Sequence, residues 1–172
     1  MRVPTINLRD PDQKQLESLD MACRDHGFFL LRNHGIDSEI EEMWNASSRF
    51  FGLPREKKLK ILRSEENPLG YYDRELTKRK RDLKEVFDFI EPRPNGEDIN
   101  QWPEDENFRK TMEVFFAAAS SIAKDTLDLV LTALSVNEDS FLAPQGDPHT
   151  STVRLNYYPV GDPLNSDEKE QV

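Results

Sequence analysis

A chain of 172 residues with a formal net charge of −10 suits one domain of ordinary size and is too short for two to be expected. Its acidity sets it against nucleic acid phosphates and anionic membrane surfaces, so neither is an expected partner. A hydrophobic share of 36% is low for a globular domain and points to a modest core, or to one completed from outside this sequence.

In chain order, "VPTINL" (3 to 8) reads as a short strand, with Pro4 placing it at an edge or strand start. Asp10-Pro11 is a helix-entry signal, and Leu16, Leu19 and Cys23 follow at helical spacing. "HGFFLLRNHG" (26 to 35) is a continuous apolar run between glycines, which predicts a buried strand. Ser38 and Glu41 are spaced as a capping box, and Ile40, Met43/Trp44, Ser47 and Phe50/Phe51 line one face of the helix that follows. Gly52 ends that helix and Pro54 opens a short charged one.

From Arg63 to Asp82 the chain is polar and reads mostly as loop, with Tyr71 and Tyr72 its large aromatic residues. "EVFDFIEP" (85 to 92) alternates Val86/Asp88/Ile90 with Phe87/Phe89, a strand stopped by Pro92. The longest element runs from about Asp105 to Val136, where Phe108, Met112, Phe115, Ala119, Ile122, Thr126, Val130 and Leu134 recur every three or four residues. Such a helix is roughly 40 Å long and is expected to be the support on which the strands pack.

The single cysteine, Cys23, leaves no internal disulfide and fits a small buried apolar residue. No apolar signal core opens the chain, and no run reaches the roughly 18 apolar residues of a membrane span. A reducing, cytoplasmic setting is the expectation. "KRKR", Lys78 to Arg81, reads as a solvated face, with a nuclear signal or phosphate patch as the other reading.

Three histidines, His26, His34 and His149, are candidates for a two-His, one-carboxylate iron site. On a strand, His-x-Asp would aim both ligands to one side. Here Asp37 follows His34 by three residues and Ser151 follows His149 by two, so none of the three is expected to hold metal. Asp105 and Glu106 suit a helix N-terminus better than acid–base work.

The stretch "TSTVRLNYYPV" (150 to 160) separates into Val153, Leu155 and Tyr157 on one side and Thr152, Arg154, Asn156 and Tyr158 on the other. The second list offers a guanidinium fork, an amide and a phenol, groups that together suit a small organic acid. On pattern alone the row reads first as the solvent face of an edge strand.

Six stretches in order, "DHGFFLLRNHGI", "FFGLPREKK", "GYY", "LKEVFDF", "WP" and "RLNYYP", resemble the N-terminal half of the non-haem iron, 2-oxoglutarate-dependent dioxygenases of the isopenicillin N synthase-like family. The resemblance covers nearly the whole chain. It implies an α+β fold: the N-terminal helix and strand region of a double-stranded β-helix (jelly-roll) oxygenase, with the jelly roll itself largely missing. Residues 1–149 would be that N-terminal region and 150–172 the first strand of the jelly roll.

The resemblance also implies Fe(II) and 2-oxoglutarate as cofactors and a small molecule as substrate, hydroxylated or desaturated. It carries 2-oxoglutarate binding onto Asn156 and Tyr158, and substrate contact onto Arg154. The family's iron ligands and its Arg-x-Ser lie beyond the Asn-Tyr-Tyr-Pro motif, and this chain stops at Val172 before they arrive. No metal ligand and no catalytic residue is therefore expected within it, and the chain is expected to be inactive alone. The alternative is a stand-alone acidic binding or regulatory protein derived from that fold.

Overall fold

The structure, a computed structural model, describes residues 3–77, 80–93, 95–136, 151–162 and 164. Its elements in chain order are β1 (Thr5–Asn7), α1 (Gln13–Asp25), β2 (Leu30–Arg32), α2 (Asp37–Phe51), α3 (Arg55–Lys58), β3 (Gly70–Tyr72), β4 (Leu76–Thr77), β5 (Lys80–Arg81), β6 (Glu85–Ile90), α4 (Glu106–Ala133) and β7 (Thr152–Tyr157). Lys78, Arg79 and His149 lie outside the described residues. Two compact units divide the chain. The first takes residues up to Ile40 and those from Ala117; the second runs from Glu41 to Phe116 and includes β7.

In the first unit β1 and β2 pair in parallel, Ile6 opposite Leu31. Ile6, Leu19 and Leu129 are buried together, with Leu16, Cys23, Phe29 and Leu31 packed around them. The helix entry falls two residues later than Asp10-Pro11. Asp12 is the cap, and its carboxylate accepts from the Gln15 N–H at 2.8 Å. Gly27, at φ +75, ends α1 by donating its N–H to Ala22 O.

The apolar run after Gly27 is not a strand buried on both faces. Three residues are strand, and Phe28 and Leu30 are 57% and 56% exposed. Packing against Ile6, Leu19 and Leu129 covers the side bearing Phe29 and Leu31 and leaves the alternate residues in water.

In the second unit α2 buries Met43, Ala46, Ser47, Phe50 and Phe51. Trp44, expected on that face, is 62% exposed. The Ser38–Glu41 capping box is not formed either. The helix already starts at Asp37, and the Ser38 hydroxyl donates to Glu39 instead.

The polar stretch 63–82, expected as loop, holds β3 and the β4–β5 hairpin. β3, β6 and β7 form one antiparallel sheet with β6 in the centre. Strand β6 stops at Ile90, short of Pro92, and its phenylalanines build an aromatic core. Phe87 lies 5.1 Å from Phe50 and 5.3 Å from Phe108 between ring centres, and Phe89 5.2 Å from Trp102. The first turns of α4 close this core with Phe108, Met112 and Phe116. Phe116, rather than the expected Phe115, is the fully packed member. Asp105 caps the helix, accepting from the N–H groups of Asn107 and Phe108. Among the described residues no helix is long and apolar enough to cross a membrane.

Candidate functional site

Strand register decides which side chains can meet a ligand. Along β6 and β7 the opposed pairs are Glu85 with Tyr157, Val86 with Asn156, Phe87 with Leu155, Asp88 with Arg154, Phe89 with Val153 and Ile90 with Thr152. Opposed residues share a face, and alternate residues take opposite faces. Val153, Leu155 and Tyr157 therefore lie with Phe87 and Phe89 on the core side, and Tyr157 stacks on Phe51 at 5.1 Å with the rings 13° apart. Thr152, Arg154 and Asn156 line the other face, beside Val86, Asp88 and Ile90.

On that outer face Arg154 is not a free cation. Its Nε and Nη2 donate to Asp88 Oδ1 and Oδ2, both at 2.7 Å, a two-pronged grip. Its Nη1 lies 3.6 Å from Glu75 Oε1. Glu75 in turn accepts from Arg63 Nη1 at 2.8 Å, and the Arg63 guanidinium sits 3.6 Å from the centre of the Tyr72 ring. The Asp88 hydrogen bonds raise the Arg154 pKa above its ordinary value, partial burial opposes them, and the Asp88 and Glu75 charges add to the rise. Asp88 is only 3% exposed, so the carboxylate depends on this partner.

Asn156 is exposed, and its amide makes no hydrogen bond to a described residue. Tyr158 lies one residue past the end of β7 and is 65% exposed. The structure thus brings Arg154 and Asn156 onto one face and leaves Tyr158 beyond the strand.

A second polar network lies on the core side of the same sheet. Lys58 donates to Glu85 and to Phe51 O, and the Tyr71 hydroxyl donates to Glu85 Oε2 at 2.7 Å. Asp73 accepts from Arg55 Nε at 2.7 Å. Burial pushes the Tyr71 phenol far above its usual range, its hydrogen bond to Glu85 and the Asp73 and Glu85 charges add to the rise, and Arg55 opposes it.

The family described as "non-haem dioxygenase in morphine synthesis N-terminal" matches residues 3–105. This chain belongs to that family. Its sequence matches the N-terminal region of such dioxygenases, and its relatives agree. Azadirone synthase from Melia azedarach is 31% identical over 175 residues, with 90% of this chain and 52% of the relative covered. A homoarginine-6-hydroxylase from Oryza sativa subsp. japonica is 31% identical over 178 residues, with 94% and 54% covered. Among solved structures, the dioxygenase for auxin oxidation in rice shares the fold at a TM-score of 0.71 and 22% identity, over 91% of this chain and 52% of that one. The chain spans about half the length of the relatives it matches.

Family membership implies Fe(II) and 2-oxoglutarate. Among the described residues no cluster of three His, Cys, Asp or Glu side chains could hold a metal ion, so iron does not fit them. His34 is used locally instead: Nδ1 accepts from the Ile36 N–H at 3.3 Å, and Nε2 is 3.7 Å from Asp37. His26 is the residue that follows α1, its ring edge-on to Phe28. The Asn156 and Tyr158 side chains, an amide and a phenol, are both exposed.

Sequence reasoning missed Asp88, Glu75 and Arg63 as members of this face. A signal existed for the first: Asp88 is the one charge inside "VFDFI", and Arg154 is the one charge inside "TVRLNY". Two lone opposite charges in otherwise uncharged strand stretches are a cross-strand pairing signal.

Proposed function

We propose that this chain is the N-terminal portion of an iron(II)/2-oxoglutarate-dependent oxygenase that hydroxylates or desaturates a small molecule in a reducing, cytoplasmic compartment. In this reading Asn156 and Tyr158 bind 2-oxoglutarate and Arg154 faces the substrate. Residues 1–149 form the N-terminal region and 150–172 the first strand of the catalytic jelly roll. The supporting observation is the outward row of β7, with Arg154 and Asn156 set opposite the packed Val153, Leu155 and Tyr157. An amide that donates and accepts, followed by a phenol that donates, suits the oxygens of a keto acid.

The iron ligands belong to sequence beyond the Asn-Tyr-Tyr-Pro motif, and the 172 residues alone do not turn over. With iron, ascorbate and 2-oxoglutarate the chain is expected to release no succinate above background; robust release overturns this. In the complete oxygenase, Asn156→Ala and Tyr158→Phe should raise the KM for 2-oxoglutarate and leave the KM for substrate nearly unchanged. Equal shifts in both would assign the two residues to structure.

One observation favours a second reading, a stand-alone acidic binding module. The apolar back of β7 is already covered: Leu155 is buried, and Val153 packs against the aromatic core. On this reading the chain runs as a monodisperse monomer in size-exclusion chromatography, with slow hydrogen exchange across β7. Aggregation would exclude it.

A further inference from the structure

Asp88 decides what Arg154 can offer a ligand. Free guanidinium presents five N–H donors in a fork that matches a carboxylate edge. Here the edge carrying Nε and Nη2 is taken up by Asp88 at 2.7 Å on both contacts. What remains is the end-on edge, the second N–H of Nη2 and both of Nη1, and Nη1 lies 3.6 Å from Glu75, inside ion-pair range and beyond a good hydrogen bond. Arg154 is 43% exposed at its side chain, so this remaining corner reaches solvent.

The charges around it close on themselves. Arg63 and Arg154 are matched by Glu75 and Asp88, two cations against two anions, each touching at least one opposite partner. A ligand carboxylate arriving at Arg154 would meet Glu75 and Asp88 as like charges. To take the Nε/Nη2 edge it would have to displace Asp88, leaving a carboxylate that is 3% exposed without its bidentate partner, and on the end-on edge it would sit between the Glu75 and Asp88 charges. A neutral acceptor needs no such exchange, because one N–H donor serves one carbonyl or hydroxyl oxygen.

We propose that Asp88 is a specificity-determining positioning residue. It occupies the Nε/Nη2 edge of Arg154 and, with Glu75, sets negative charge beside the open edge, so that this face of the sheet accepts a neutral oxygen acceptor, a carbonyl or hydroxyl group of the substrate, and rejects a carboxylate there. The proposal rests on the reading of β7's outer face as the ligand wall. It deepens that reading by naming the chemical class of the group that Arg154 meets.

The test uses the 172-residue chain labelled with 15N, following the Arg154 side-chain N–H signal. N-methylacetamide and acetate serve as probes of nearly equal size. The expected result is that N-methylacetamide shifts the Arg154 signal and acetate binds at least about tenfold more weakly, the effect of like-charge contact. Asp88→Asn, which keeps the shape and removes the charge, should bring acetate binding up to or past that of the amide. Acetate binding to the unaltered chain as tightly as N-methylacetamide overturns the proposal, as does an Arg154 signal that neither probe moves. Should Asp88→Asn unfold, the comparison of the two probes on the unaltered chain still decides. A separate titration with 2-oxoglutarate, read at the Asn156 and Tyr158 backbone signals, tests the ligand-wall reading. Its failure beside a positive probe comparison would sink that reading alone.

Discussion

Lys58 and Glu85 form an ion pair almost fully enclosed in the second unit, α3 reaching the first residue of β6. The ammonium also donates to Phe51 O, and the carboxylate also accepts from Tyr71, so neither charge relies on a single contact. Removing one partner leaves the other charged and buried. Lys58→Met or Glu85→Leu alone should cost about 3–5 kcal/mol, and the double variant much less than the sum of the singles. Urea unfolding of the four proteins measures this. Singles that cost under about 1 kcal/mol would mean that water reaches the pair.

The Tyr71 phenol makes the second prediction, in alkali. Its folded pKa is raised, by burial first and then by Glu85 and Asp73, while the unfolded phenol ionises near pH 10. Above that pH the unfolded state binds fewer protons than the folded one, so stability is whole below about pH 10 and falls as pH rises. Of the four tyrosines, Tyr71 should yield its tyrosinate absorbance only as the chain unfolds. Tyr71→Phe should remove part of the alkaline slope, and an unchanged slope would refute the assignment.

Gly70 provides the third. It sits at φ +96, and a Cβ there would lie 2.5 Å from Ile61 O. Gly70→Ala therefore adds a backbone clash to left-handed strain and should cost more than about 3 kcal/mol. Gly96, at φ +80 with nothing within 4 Å of its Cβ position, carries strain alone and should cost about 1–2 kcal/mol on the same substitution. Thermal unfolding ranks the two, and an equal cost would remove the steric argument.

Asp105 holds two otherwise unpaired N–H groups at the start of α4. Asp105→Ala should cost about 1 kcal/mol, and Asp105→Asn less, since the amide oxygen can still accept. Chemical denaturation of both variants checks the order; equal losses for Asn and Ala would point to the charge rather than the cap.

Local chemistry was legible in the residues themselves. The period-2 alternation at 152–157 and 85–90, the long stripe after Asp105 and the order of six short motifs were enough to place two strands, one long helix and the family. Where only a local rule was available, a neighbouring rule sometimes won. Asp12 captured the cap that Asp10-Pro11 suggested, and Trp44, placed on the packed face by its spacing, is exposed.

Period alone could say that Arg154 and Asn156 share a face, because successive side chains of any strand take opposite sides. It could not say what that face meets. Asp88 lies 66 residues from Arg154, and Lys58 27 from Glu85; the pairing of β6 with β7 brings the first couple together, and the packing of α3 against β6 the second. Charge–charge contact depends on distance in space, which the order of residues along a chain does not specify. Residue order was enough for the family and for the row of polar groups; strand pairing in three dimensions settled that the guanidinium in that row is already held.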